Sequence, residues 1–233
     1  LVGSEMCIRD RVMIAIIVFA EGQFVFKGSR YIDGAGWFMT AAQSLATFFV
    51  LPAVIALLGS YMICREEQED TLKSLRLVPV DEAKLTVVKM IVAMVFSILI
   101  YLLLFVITFA VEAIMHFGTL SIQTVWGFLF TYFVNGIGVF LAISPIVALV
   151  ARIKKGYWLA LVFTEIYSFA GLFASMSETL KTVYPITAVF QLSGYYETTI
   201  GNKAASLVIL IVCMVLAVLI LNGLSRKNKK SIY

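Results

Sequence analysis

The chain has 233 residues, of which 61% are hydrophobic and 14% charged, with a formal net charge of +4; soluble domains hold about 25% charged and about 45–50% apolar residues. A water-soluble globular domain is excluded, because the uncharged runs are longer than a globular core uses. The positive balance is no nucleic-acid footprint, since its Lys and Arg residues sit at the ends of apolar runs, as membrane anchors do.

Residues 1–11, LVGSEMCIRDR, resemble the translated sequencing-adapter peptide that contaminates the ends of genes predicted from short-read assemblies, and are set aside as non-native. Residues 12–233 read as a single transmembrane domain. The stub VMIAIIVFA at 12–20 is too short to cross a bilayer. It reads as the outer half of a first span that is truncated here. A polar, Gly-bearing segment, 21–39, follows. Uncharged runs then place spans near 40–63, 88–111, 125–150, 157–176 and 204–223, each at least about 30 Å long as a helix. Apolar residues occupy every face of these runs, whereas a barrel strand alternates in polarity, so helices are the remaining spanning structure. The expected fold is all-α, a polytopic membrane helix bundle with six spans, the first incomplete.

Arg65, Lys73, Arg76, Lys84, Lys89, Arg152, Lys154, Lys155, Arg226, Lys227, Lys229 and Lys230 fall in the segments 64–89, 151–155 and 224–233. Only Lys27, Arg30, Lys181 and Lys203 fall on the other side. The positive-inside rule makes the first set, and with it the C-terminus, cytoplasmic. Cys7, Cys64 and Cys213 are too far apart for a disulfide framework or a metal motif.

The longest cytoplasmic segment reads CREEQEDTLKSLRLVPVDEAKLTVVK. Glu66, Glu67, Glu69 and Asp70 precede Lys73 and Arg76, and Pro79 ends the run, an order that complements the dipole of a helix over about 66–77. Glu69 and Lys73 form an i,i+4 pair of the favourable order, and Leu72 and Leu75 share one face. Asp81 can cap the next helix, which runs on into the following span. An amphipathic linker lying on headgroups is one reading of this segment. Against it, acids outnumber bases from 65 to 77, which suits an anionic surface poorly, and the kinked pair is longer than a connector needs. A protein partner accounts for both features.

Glu69, Thr71, Leu72, Lys73, Leu75, Pro79, Lys84, Leu85 and Lys89 resemble the loop after the second span of type-2 ABC transporter permeases, with Asp70 where the family commonly has Gly. Span number, chain length and an aromatic reentrant segment before the last span are also similar to that family, particularly to permeases of bacitracin and lantibiotic resistance systems. The resemblance implies a bacterial cytoplasmic-membrane permease, working as a dimer or with a related permease. It also implies a cytoplasmic ABC ATPase docked at Glu69, Thr71, Leu72, Lys73, Leu75, Arg76 and Pro79. ATP and Mg would then belong to that partner. The chain carries no GxxxxGK[ST] loop of its own.

Glu165 is the ionisable residue near the middle of a span, where a charged acid costs about 2.5–3.5 kcal/mol to insert. It belongs either to a translocation path or proton site, or to helix packing through Asn135, Thr164 or Ser168. Asn135, Gly136, Gly138 and Pro145 either break their helix beside a path or allow close packing. His116 has no second metal ligand near it in sequence. No nucleophile has an identifiable base, so the chain is not expected to be an enzyme. The leading expectation is an exporter permease for peptide antibiotics or other amphipathic, lipid-like substrates. The alternative is an ATPase-independent transporter or membrane sensor that uses Glu165.

Overall fold

A computed structural model describes residues 36–68, 82–116, 118, 121–153, 156–196 and 198–230. The elements are α1 (Trp37–Leu45), a π-helical turn (Ala46–Val50), α2 (Leu51–Gln68), α3 (Glu82–His116), α4 (Ile122–Ile153), α5 (Trp158–Ala174), α6 (Glu178–Val183), α7 (Pro185–Leu192) and α8 (Ile200–Lys230). Among the described residues there is no strand, and the expected all-α membrane bundle is what forms. The stub at 12–20 and the whole of 69–81 lie outside the described residues.

Among the described residues, four stretches are long and apolar enough to cross a membrane: Trp37–Arg65, Leu85–His116, Ile122–Val150 and Ile200–Leu221. α5, expected as a crossing over 157–176, is a shorter apolar helix of 17 residues, about 25 Å. That is the lower end of what spans hydrocarbon. The chain is therefore a multi-pass membrane protein.

α4 lies at the centre, packed against α8, α3, α2 and α7 and more lightly against α5. Its approach to two neighbours depends on glycine. A Cβ on Gly136 would stand 2.9 Å from the Ile98 backbone of α3, and one on Gly138 would stand 2.7 Å from Val189 of α7. Both glycines serve close packing, as small residues in membrane helices commonly do. α4 also runs unbroken through Pro145. The proline cannot donate to the carbonyl of Leu141, and the Ser144 hydroxyl donates to it instead at 2.8 Å. Pro52 is accommodated differently. Just before it the helix widens into the π turn, where Leu51 N–H reaches back to Ala46 O.

α5 buries a face made only of small side chains, Ala160, Thr164, Ser168, Gly171 and Ala174, and packs it on α2 and the π turn. Its large residues Phe163, Ile166, Phe169 and Phe173 point outward. The segment 177–203 holds two short helices before α8 begins. α6 exposes Leu180 and Val183, whereas α7 is wedged among α4, α5 and α8 with Ile186–Gln191 buried. Pro185 opens α7 at a position where a helix needs no donor. Gly194, at φ +83°, turns the chain so that Tyr195 and Tyr196 fold back on Phe190, with centroids 4.9 and 5.8 Å away.

Candidate functional site

Of the residues singled out from the sequence, Glu69, Thr71, Leu72, Lys73, Leu75, Arg76 and Pro79 lie outside the described residues. On their flanks the helix of the preceding span runs on through Gln68, and α3 starts at Glu82, next to the expected cap Asp81.

Asn135 is fully buried in α4, and neither its Nδ2 nor its Oδ1 has a hydrogen-bond partner among the described residues. Other polar side chains of α1, α3, α4 and the π turn are buried as well. Thr47 of the π turn and Tyr101 of α3 share a hydrogen bond of 2.9 Å between their hydroxyls. Tyr132 of α4 donates to Met39 O at 2.7 Å, and Thr108 of α3 returns its hydroxyl to Leu104 O at 2.9 Å. Gln43 of α1, also buried, has no acceptor for its amide nitrogen Nε2 among the described residues. Burying unpaired amides is costly, so such groups in a membrane bundle are natural contacts for a passing polar group or for water.

Glu165 is half-buried on α5 and makes no hydrogen bond or ion pair among the described residues. The packing alternative named Asn135, Thr164 and Ser168 as its partners. Among the described residues the side-chain oxygens of Thr164 and Ser168 and both polar atoms of Asn135 are buried without a partner, so they do not bond to Glu165. Glu165 and Asn135 are thus not joined into one cluster.

Sequence reading placed Glu112 at a span end and assigned it nothing. In the structure it is fully buried, and α3 continues past it to His116. Its Oε1 accepts the Gly36 N–H at 2.7 Å and its Oε2 accepts the Phe38 N–H at 3.1 Å. These are among the donors that the start of α1 leaves without intrahelical acceptors, and no side chain of its own caps them. A carboxylate at a helix N-terminus is further favoured by the dipole. Gly36 takes φ +95°, and a Cβ there would meet the Phe128 ring at 2.7 Å, so glycine is what lets α1, α3 and α4 converge. His116 Nδ1 lies 2.9 Å from Glu112 Oε1, an ion pair when the imidazole is protonated. The available signal was an acid flanked on both sides by Val111 and Ala113 and by further apolar residues, in a helix whose apolar run does not stop there.

The bundle thus holds three separate polar features, the buried amides, the capped start of α1 and the half-buried acid of α5. The family model described as ABC-2 family transporter protein matches residues 10–171. The chain is similar to bacitracin transport permease protein BCRB of Bacillus licheniformis, 28% identical over 167 residues that cover 70% of this chain and 79% of that protein. No solved structure matches. With a family model matched over most of its length and a bundle of membrane-crossing helices to go with it, the chain belongs to the ABC-2 family of transporter proteins.

Proposed function

We propose that the chain is the membrane-spanning permease subunit of an ATP-driven exporter of peptide antibiotics or other amphipathic, lipid-like molecules. It sits in a bacterial cytoplasmic membrane with its basic loops and C-terminus inside. The family match over residues 10–171 carries this reading, and the likeness to a bacitracin permease supports the substrate class. A second copy, or a related permease, completes the path. A cytoplasmic ABC ATPase, holding ATP and Mg, docks on the segment around Leu72 and Leu75. Glu165 and Asn135 belong to the path in this reading: among the described residues the first is half-buried without a partner, and the second is buried with its amide unspent.

The test is co-purification of the chain with the ATPase encoded beside it, together with bacitracin resistance of cells carrying both. Leu72→Asp with Leu75→Asp leaves expression and topology unchanged, because both residues lie in the charged segment between two uncharged runs of the sequence, yet abolishes co-purification by placing two carboxylates in an apolar contact. Retained binding and resistance would overturn the docking assignment. The second reading, an ATPase-independent transporter or membrane sensor in which Glu165 is the proton or ligand site, draws on Glu165 alone, which has no partner among the described residues. It requires that Glu165→Gln and collapse of the proton gradient each stop transport while ATP is plentiful. Under the exporter reading Glu165→Gln inserts normally and transport survives loss of the gradient.

A further inference from the structure

The buried face of α5, which packs on α2 and the π turn, carries two hydroxyls, those of Thr164 and Ser168. Both are fully buried, and neither has a hydrogen-bond partner among the described residues. Other hydroxyls of this chain behave differently. Those of Ser44, Thr108, Ser144 and Ser175 each return to a carbonyl three or four residues back, at 2.5–3.0 Å. Thr164 and Ser168 do not bond back to their own helix, so their donors are left for the element that faces them.

That element has the opposite defect. Pro52 has no N–H, so Phe48 O loses the donor that an α-helix would give it. Leu51 N–H, which in an α-helix would serve Thr47 O, is drawn back to Ala46 O by the π turn, and the next donor in line is again Pro52. The acceptors and the donors lie at one level of the bundle. A Cβ on Gly171 would stand 3.5 Å from the Phe48 ring, and the rings of Phe49 and Phe169 meet with centroids 6.1 Å apart. Ser168 stands between Phe169 and Gly171 on α5 and therefore against the π turn, with Thr164 one turn further along the same face. Phe49 and Phe169, both partly exposed, close this contact on its outward side.

Within hydrocarbon no outside partner satisfies such groups, and leaving them bare is costly. Water serves both sets at once, because it donates to carbonyls and accepts from hydroxyls. A buried water typically makes about three hydrogen bonds, and Thr47 O, Phe48 O, Ser168 Oγ and Thr164 Oγ1 supply the partners for it.

We propose that the contact between α5 and the π turn is a buried hydration site, in which water bridges the hydroxyls of Ser168 and Thr164 to the carbonyls of Thr47 and Phe48. Bound there, it lets this span widen at the π turn and carry Pro52 without leaving either defect unsatisfied in lipid. The proposal does not depend on the transport reading, and its test uses no transport readout.

The full chain in lipid nanodiscs is exposed to short X-ray pulses, which turn bound water into hydroxyl radicals that oxidise the side chains beside it. Oxidised residues are then located by mass spectrometry. Phe48 is oxidised, whereas Phe140, equally buried at 5% exposure but set against the apolar cavity beside α8, is not. After a rapid change into oxygen-18 water, the heavy isotope reaches Phe48 later than the exposed Phe173, as it does for a bound water and not for bulk solvent. Thr164→Val with Ser168→Ala removes both hydroxyls and brings Phe48 down to the level of Phe140. Ser168→Thr keeps a hydroxyl and keeps the oxidation. Pro52→Ala restores a donor for Phe48 O without touching α5, and it lowers the oxidation of Phe48 even where the double variant fails to fold. The proposal is overturned if Phe48 is oxidised no more than Phe140, or if it takes up the heavy isotope as fast as Phe173. Oxidation undiminished in the double variant, or in Pro52→Ala, overturns it as well.

Discussion

α4 and α8 are nearly equal in length and are used in opposite ways. The crossing part of α8 has a mean hydropathy of 3.2 and turns most of its surface outward, whereas that of α4 has 2.2 and is mostly buried. In water the more apolar helix would be the core. In a bilayer, lipid tails are as apolar as leucine, so burying Leu and Val gains nothing, and the interior goes to helices that carry small and polar groups. α8 shows Val208, Ile211, Val215 and Leu219 to the outside, while α4 hides Tyr132, Asn135 and Ser144 and packs through its glycines. The rule extends to α5, where the small residues face inward and the phenylalanines face out.

The contrast breaks most sharply at glycine. Gly136→Leu drives a side chain into the Ile98 backbone and is expected to cost about 3 kcal/mol or more, seen as loss of a monodisperse protein in detergent. Gly201→Leu in α8, with nothing within 4 Å of its Cβ position, leaves the melting temperature unchanged. Equal behaviour of the two variants would refute the central placement of α4.

Next in size is Glu112→Ala. It strands the Gly36 and Phe38 N–H groups in a buried place, at about 1–3 kcal/mol for each unsatisfied donor. Glu112→Gln keeps one acceptor and recovers part of the loss in thermal unfolding followed by circular dichroism. If the Ala variant melts like the parent, the clasp contributes nothing to holding α1 against α3.

The smallest effect, and one of opposite sign, belongs to Asn135→Leu. Removing an amide whose atoms have no partner is expected to stabilise the chain by up to about 1 kcal/mol. Stability retained together with impaired transport assigns Asn135 to the path; stability lost shows that the amide is satisfied in the membrane.

Much of the architecture was legible because it follows from one-dimensional facts. Long uncharged runs cannot be anything but spans, and the starts and ends of α3, α4 and α8 fall close to where charge and polar residues return. The inward face of each helix was not legible, since runs such as VVKMIVAMVFSILIYLLLF are apolar all round and hold no periodic signal. Glu112 was missed for a related reason: an acid at the end of an apolar run looks like a boundary until its acceptors, the first amides of α1, are brought to it from far away in sequence. Glu165 was found because a mid-span acid stands out in any context. The aromatic segment before the last span was recognisable by composition, but its depth in the bundle depends on Gly138 and Gly171, whose neighbours only the folded chain supplies.

The burial of α7 also bears on the order in which the molecule can be made. Eight residues cannot be inserted as a span, and the walls around α7 come from α4 and α5, synthesised before it, and from α8, synthesised after it. Ser206 of α8 closes that chamber by donating its hydroxyl to Gln191 Oε1 at 2.8 Å. During translation the segment from Pro185 to Leu192 must therefore wait at the membrane surface until the last helix arrives. A ribosome stalled before α8 would leave this polar-edged plug accessible to water-soluble thiol reagents at an engineered cysteine, and release of the complete chain would withdraw it.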